Sequence, residues 1–128
     1  MKKYLLIVFI GLSLTMCSKK QEEMLSLSPQ QFQQQLKNTP DAVLLDVRTL
    51  EEVQAGRIKG EINFDFKSAE FPILIKGLDK SKAYFVYCAS GVRSGKAADQ
   101  MRNEGFEKVY TLEGGIKAWE EAKLPVQR

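Results

Sequence analysis

Two cysteines are the residues of this sequence that are best suited to covalent chemistry. They are Cys17 and Cys88, in a chain of 128 residues that contains no histidine. The absence of histidine excludes Ser-His-Asp and Cys-His catalysis and removes the commonest transition-metal ligand. Two cysteines are also too few for a disulfide scaffold or a four-cysteine zinc site. We therefore expect no metal and no cofactor, and any cysteine chemistry must proceed without an imidazole base.

Cys88 lies in the segment YCASGVRS (residues 87–94), between a predicted strand and a predicted helix. A short loop of small residues around Gly91 can point successive backbone N–H groups inward and form an anion-binding nest. The N-terminus of the next helix adds partial positive charge, and Arg93 adds a cation suited to oxyanions. An unpaired cysteine can instead be an inert buried hydrophobe. The convergence of these features favours a reactive thiolate with a lowered pKa.

Alternating strands and helices are predicted to position this loop. Apolar runs at 42–47, 83–87 and 109–111 predict strands buried in a parallel sheet, with short strands at 25–27 and 62–64. Helices are predicted at 29–38, 49–55, 93–104 and 116–125, with another opened by Pro72. This alternation, in a chain that is 44% hydrophobic, favours one three-layer α/β/α domain with a mainly parallel sheet of about five strands. Ligands bind such sheets at the carboxyl ends of the strands, where Cys88 is placed.

Four stretches, in this order, resemble the rhodanese family: LDVR (45–48) with Glu52, GRIKG (56–60), CASGVRS (88–94), and LEGGIKAW (112–119) with LPV (124–126). The resemblance runs from about Leu25 to Val126 and implies a rhodanese-like fold. Three positions depart from the family pattern. Arg57 stands where histidine is usual, Val53 where an aromatic residue is common, and Glu61 where a small residue is usual. We expect these departures to alter the rim of the site and its donor preference.

The resemblance implies a sulfurtransferase, that is, an enzyme that moves a sulfane sulfur from thiosulfate or a similar donor to a thiol or to cyanide. In this sequence Cys88 would be the nucleophile that carries the sulfur as a persulfide, and Arg93 would orient the anionic donor. The small anionic donor, the acceptor and a partner thiol protein are the implied partners. The implied substrate-binding residues of the loop are Ala89, Ser90, Gly91, Val92 and Ser94.

The other matched residues are expected to support the fold. Asp46, Arg48 and Arg57 are candidates for a supporting role. We expect Asp46 to hydrogen-bond the Cys88 loop, and Arg48 to form an ion pair with Glu52. The remaining expectations are core packing for Trp119 and special backbone geometry for Gly114 and Gly115.

Two other functions stay open at this point. Tyrosine phosphatases and arsenate reductases also use a cysteine and an arginine around an anion cradle, but the phosphatase spacing has five intervening residues. Here four residues separate Cys88 from Arg93, and Tyr87 replaces the histidine that often precedes the nucleophile. The other alternative is a persulfide carrier or redox-sensing thiol that serves a partner protein without turnover of a small molecule.

The N-terminus resembles an export signal with a bacterial lipobox. Lys2 and Lys3 precede an apolar run at 4–14, which is too short to span a bilayer and ends in LTMC (14–17). We predict a signal peptide at 1–16, a lipidated Cys17 with a polar tether at 17–24, and a rhodanese-like domain at 25–128. The product would be a membrane-anchored lipoprotein of the bacterial periplasm or cell envelope, although a secreted protein and an uncleaved anchor stay open because Met16 replaces the usual small residue.

Charge gives no reason to expect a nucleic-acid partner. The formal net charge is +3, and cleavage before Cys17 would remove Lys2 and Lys3 from that total. The sequence shows no stripe of lysines and arginines interleaved with aromatic residues.

Overall fold

The computed structural model describes residues 25–128. The predicted signal peptide, Cys17 and the tether lie outside the described residues. The described part contains a five-stranded sheet whose strands all run parallel. The strands are β1 (Ser26–Leu27), β2 (Val43–Asp46), β3 (Ile62–Asn63), β4 (Ala83–Tyr87) and β5 (Lys108–Leu112).

Each connection between successive strands contains at least one helix, as parallel pairing requires. Capping boxes begin two of these helices, at Ser28 with Gln31 and at Thr49 with Glu52, as the sequence predicted. The helices are α1 (Pro29–Asn38), α2 (Leu50–Ala55), α3 (Phe71–Lys76), α4 (Val92–Asn103) and α5 (Gly115–Glu121).

The strand order β1-β5-β4-β2-β3 puts β4 at the centre of the sheet. All five residues of β4 are buried, which explains its uninterrupted apolar sequence. Asp46 at the end of β2 lies beside Tyr87 at the end of β4 in the parallel register. Cys88 therefore leaves the sheet at its central carboxyl edge, where the sequence placed it.

Helices cover both faces of the sheet, so the predicted three-layer α/β architecture is confirmed. Ile75 of α3 and Met101 of α4 belong to the core on one face. Phe32 of α1 and Trp119 of α5 belong to the core on the other, where their rings pack edge to face at 6.3 Å. Trp119 is 2% exposed and its Nε1–H donates to the carbonyl of Pro125 at 2.9 Å, which confirms its core position.

The last helix is shorter than the sequence predicted. It ends at Glu121, because Lys123 adopts a positive φ of 62°. The N–H of Leu124 then bonds back to the carbonyl of Trp119 at 3.2 Å, a pattern that closes helix C-termini. Pro125 follows the turn and does not itself end the helix. In the described part of the chain no helix has the length and apolar character needed to cross a membrane.

Candidate active site

The loop between β4 and α4 curls around the sulfur of Cys88. Gly91 has a φ of 103°, a left-handed conformation that glycine adopts without steric cost. This turn directs the N–H of Gly91 to Sγ of Cys88 at 3.1 Å. Sγ also lies 3.4 Å from Oγ of Ser94. The predicted nest is thus present, and the sulfur lies inside it with the first turn of α4 directed toward it.

The surroundings of Cys88 lower the pKa of its thiol. Burial alone raises that pKa, since the residue is only 1% exposed. Hydrogen bonds from the Ser94 hydroxyl and from the backbone N–H groups of Ser94, Gly91 and Ser90 outweigh the burial, so the net shift is downward. The lowered pKa expected from the sequence is confirmed in direction, and no histidine contributes to it.

The Ser94 hydroxyl can serve both protonation states of the sulfur. Its Oγ lies 3.2 Å from the carbonyl oxygen of Gly91 and 3.4 Å from Sγ. When Cys88 is a thiol, its S–H donates to Oγ and the hydroxyl donates to Gly91. When Cys88 is a thiolate, the hydroxyl donates to the sulfur instead, which favours the charged form.

Arg93 lies at the start of α4 and is held by Glu52 of α2. Both of its terminal nitrogens bond the Glu52 carboxylate, at 2.7 and 2.9 Å. This bond with Arg93 is the main reason that the pKa of Glu52 falls to about 2, against the opposing effect of burial. The guanidinium that is expected to orient a donor is therefore already paired with a carboxylate.

The predicted ion pair between Arg48 and Glu52 is wrong. Arg48 pairs instead with Asp46, whose carboxylate accepts from Nη2 at 2.7 Å. The guanidinium of Arg48 donates to the backbone carbonyl of Glu52, not to its carboxylate. It also donates to the carbonyl of Gly56 at 2.7 Å. Asp46 is fully buried, so its carboxylate needs a cation close by, and Arg48 is two residues away.

Asp46 does not bond the Cys88 loop as expected. Within residues 25–128 the Asp46 carboxylate accepts from the backbone N–H and the guanidinium of Arg48, and it interacts with the hydroxyl of Tyr87. The Tyr87 hydroxyl also accepts the N–H of Ile58 at 3.1 Å. Burial, and then Asp46, raise the pKa of Tyr87. Asp46, Arg48 and Tyr87 thus support the end of β4, directly before Cys88, and this role of Tyr87 was not predicted from the sequence.

Arg57 pairs with Glu61, so two of the three departures from the family pattern bind each other. Nε of Arg57 lies 3.0 Å from the Glu61 carboxylate. The backbone of Arg57 pairs with that of Gln127 near the C-terminus. These contacts tie residues 57–61 to the chain end, and none of them reaches the Cys88 loop.

The N-terminus of α5 holds the Cys88 loop from its other side. The N–H groups of Ile116 and Lys117 donate to the carbonyls of Cys88 and Ala89, at 2.9 and 3.2 Å. Gly115 has a φ of 63°, and a Cβ at this position would lie 2.6 Å from the Cys88 carbonyl oxygen. The expected special geometry of Gly115 is confirmed, and its cause is this close approach to the loop.

Two other features bear on what the site can hold. In residues 25–128 no group of three metal-ligating side chains comes together. A cavity of about 560 Å³ opens on the α1 and α5 face, lined in part by Leu36, Ile58 and Trp119. None of its lining residues comes from the Cys88 loop, so it is separate from the candidate active site.

Comparisons with known proteins agree with this geometry. The family model described as "Rhodanese-like domain" matches residues 28–122. A sulfurtransferase of Allochromatium vinosum is 31% identical over 100 residues, which cover 78% of this chain and 92% of that protein. A rhodanese-related protein of Thermoplasma volcanium is similar in structure, with a TM-score of 0.71, 31% identity, and coverage of 80% of this chain and 96% of that one.

Other relatives are considerably longer than this chain. A tRNA uridine(34) hydroxylase of Cytophaga hutchinsonii is 41% identical over 93 residues, which cover 70% of this chain and 30% of that protein. The chain spans about a third of the length of these hydroxylase relatives. The matched family model, the fold and the curled cysteine loop lead to one conclusion: this chain belongs to the rhodanese-like domain family.

Proposed function

We propose that this protein is a sulfurtransferase that carries a sulfane sulfur on Cys88, from thiosulfate or a similar donor to a thiol or to cyanide. The observation that carries the proposal is the environment of Sγ. The sulfur lies at the central carboxyl edge of the sheet, accepts the N–H of Gly91 and is within reach of the Ser94 hydroxyl. These groups stabilise a sulfur anion, and sulfur transfer requires one in both half-reactions.

In the first half-reaction the Cys88 thiolate attacks the outer sulfur of the donor. An Sγ–S bond forms, the S–S bond of thiosulfate breaks, and sulfite leaves with the electron pair. The negative charge then lies on the outer sulfur of the persulfide. The backbone of Ala89, Ser90, Gly91 and Val92, together with Ser94, is proposed to hold that charge.

In the second half-reaction the acceptor attacks the outer sulfur and Cys88 leaves as a thiolate. Each step exchanges one sulfur–sulfur bond for a new bond to sulfur, so neither an external oxidant nor a general base is needed. The transfer is split into two displacements, for which ping-pong kinetics are expected. Arg93 is the candidate for orienting the donor, because its permanent charge lies near the Cys88 thiolate.

The Allochromatium sulfurtransferase supports this proposal, because it has nearly the same length as the aligned part and carries that name. The hydroxylase relatives align over about a third of their length, and no hydroxylation is proposed for this chain.

We further propose that Cys17 is lipidated and tethers the domain to a bacterial membrane on the exported side. Mass spectrometry of the native protein tests this: a diacylglyceryl group on Cys17 is expected, and an unmodified N-terminus at Met1 contradicts it.

Replacing the nucleophile tests the proposed chemistry directly. The intact protein should gain one sulfur atom from thiosulfate at Cys88, as read by peptide mass spectrometry, and should form thiocyanate from thiosulfate and cyanide. Cys88→Ser should abolish both, because serine forms no persulfide. Sulfur loading with thiocyanate formation no faster than in Cys88→Ser would favour the carrier alternative. Rapid hydrolysis of p-nitrophenyl phosphate that depends on Cys88 would favour a phosphatase.

A further inference from the structure

The cation of the active-site loop is neutralised by a residue of another helix. Glu52 in the first turn of α2 binds both terminal nitrogens of Arg93 in the first turn of α4. The two side chains are 33% and 19% exposed, so the pair lies at the protein surface and not in the core. An anionic donor that uses the Arg93 fork must therefore compete with a carboxylate that already occupies it.

We propose that Glu52 sets the charge of the sulfur donor: by pairing with Arg93 it disfavours dianions such as thiosulfate, and it selects donors of low charge in which an organic group carries the sulfane sulfur. This inference rests on the proposed sulfur transfer and names its substrate class. Glu52 acts through Arg93, so it is a positioning residue.

The charges around the sulfur support this assignment. The thiolate and Glu52 are negative and Arg93 is positive, so the three groups together carry one negative charge. Asp65 adds another negative group that interacts with Arg93. The pKa of Glu52 is lowered to about 2, chiefly by Arg93, so its carboxylate stays ionised throughout the neutral range. Among these side chains a dianion thus meets no cation that is not already paired, and the thiolate and the carboxylates repel it twice as strongly as they repel a monoanion.

The surface beside the pair suits an organic donor. Leu50 is 61% exposed and begins α2, and Val92 is 64% exposed and begins α4. Both apolar side chains therefore lie in the first turns of the two helices that the ion pair joins. Exposed aliphatic side chains in the same helical turns as a neutralised cation favour the organic part of a donor over a small, strongly hydrated dianion.

The transfer from such a donor is balanced without any other reactant. The Cys88 thiolate attacks the outer sulfur of an organic persulfide, R–S–SH. The Sγ–S bond forms, the donor S–S bond breaks, and R–S⁻ leaves with the electron pair. The proton remains with the transferred sulfur, so Cys88 becomes a persulfide and the donor becomes a thiolate.

The substitution Glu52→Gln tests the inference, with Glu51→Gln as its matched control. Glutamine retains the side-chain oxygen that accepts from the N–H and the hydroxyl of Thr49, but it loses the charge. Glu51 is exposed in the same helical turn, so its replacement removes the same charge from the helix start without touching Arg93. Two donors are compared at low ionic strength: thiosulfate, a dianion, and methanethiosulfonate, a monoanion that releases methanesulfinate. Thermal unfolding verifies that both variants are folded.

The donor preference is measured as kcat/KM for thiosulfate divided by kcat/KM for methanethiosulfonate. We expect Glu52→Gln to raise this ratio by about 5-fold. High salt should reduce that gain, and Glu51→Gln should leave the ratio within about 2-fold of the wild-type value. An unchanged ratio in Glu52→Gln, or an equal change in Glu51→Gln, overturns the inference while leaving sulfur transfer intact. If wild-type Cys88 takes sulfur from neither donor, the proposed function fails and the inference falls with it.

A second readout does not require turnover. Cys88 is alkylated with iodoacetate, an anion, and with iodoacetamide, which is neutral, and each rate is followed on the Cys88 peptide by mass spectrometry. We expect Glu52→Gln to raise the iodoacetate-to-iodoacetamide ratio by about 3-fold, with no change in Glu51→Gln. A purely structural role of Glu52 would change both rates equally, and that result contradicts the inference even if sulfur transfer is confirmed.

Discussion

At the scale of single residues, the reactivity of Cys88 depends on which groups face its sulfur. A cysteine that is 1% exposed would ordinarily be an inert thiol, because burial disfavours the thiolate. Here the N–H of Gly91 and the hydroxyl of Ser94 are directed at the sulfur, and they reverse the sign of the shift. The same burial removes competing water, so each of these hydrogen bonds is worth more than it would be at the surface.

Ser94→Ala is expected to raise the pKa of Cys88, since the lost hydroxyl bonds the charged form. The Cys88 thiolate is protonated as pH falls through its pKa in the folded protein. Because that pKa is higher in Ser94→Ala, the thiolate should be lost at a higher pH in the variant than in the wild type. The iodoacetamide rate at Cys88 as a function of pH measures the shift. Ser90→Ala is the control, because Ser90 acts on the sulfur through its backbone N–H. Identical profiles in Ser94→Ala and wild type would contradict the assignment.

At the scale of elements, two helix N-termini hold the loop between them. The N–H groups of Gly91, the N-cap of α4, and of Ser94 in its first turn bond the sulfur. Those of Ile116 and Lys117 in α5 bond the loop carbonyls. The carbonyls are thus turned toward α5, and the amides remain free to face the sulfur. Gly115 allows this approach, because any side chain there would overlap the loop.

Gly115→Ala should therefore damage both stability and chemistry. The added Cβ meets the backbone of Cys88 and Ala89, and the positive φ adds strain, so we expect a loss of at least about 2 kcal/mol in unfolding free energy. Sulfur loading of the folded fraction should fall as the loop shifts. Gly95→Ala is the control, because a Cβ at Gly95 in α4 meets nothing within 4 Å. Urea unfolding and peptide mass spectrometry measure the two effects, and wild-type values for Gly115→Ala would refute this account.

At the scale of the whole molecule, one sheet separates two cores and shares its strands with both. Tyr84 and Val86 of β4 belong to the core under α3 and α4, while Phe85 and Tyr87 belong to the core under α1 and α5. Each core is too small to be stable alone, and both require β4. The domain should therefore unfold as a single cooperative unit.

Met101→Ala tests this cooperativity from the face opposite the single tryptophan. Met101 is fully buried under α4, so its truncation should cost about 2–5 kcal/mol. Trp119 lies on the other face, yet its fluorescence should report the same lowered denaturation midpoint as far-UV circular dichroism. If the Trp119 transition keeps its wild-type midpoint while circular dichroism shifts, the two faces unfold independently and the account is wrong.

The sequence predicted the order and type of the elements because the information for them is local. The buried run 83–87 and the capping residues Ser28 and Thr49 lie within or beside the elements that they define. The position of Cys88 could also be predicted from the sequence, because a loop that follows a central strand emerges at the carboxyl edge of a parallel sheet. The bounds of α5 were less accurate, because the turn at Lys123 has no glycine to mark it.

The ion-pair partners of the charged residues could not be predicted from the local sequence. By spacing alone, Arg48 and Glu52 are neighbours, and an ion pair between them is the natural expectation. In the structure Asp46 is fully buried and takes Arg48, because a buried carboxylate without a cation is costly. Glu52 is left to pair with Arg93, 41 positions further along the chain. The sequence determined which residues form the cysteine loop, because those residues are consecutive. Only the tertiary structure, which brings the first turns of α2 and α4 within reach of one ion pair, decided that the loop's arginine meets a carboxylate.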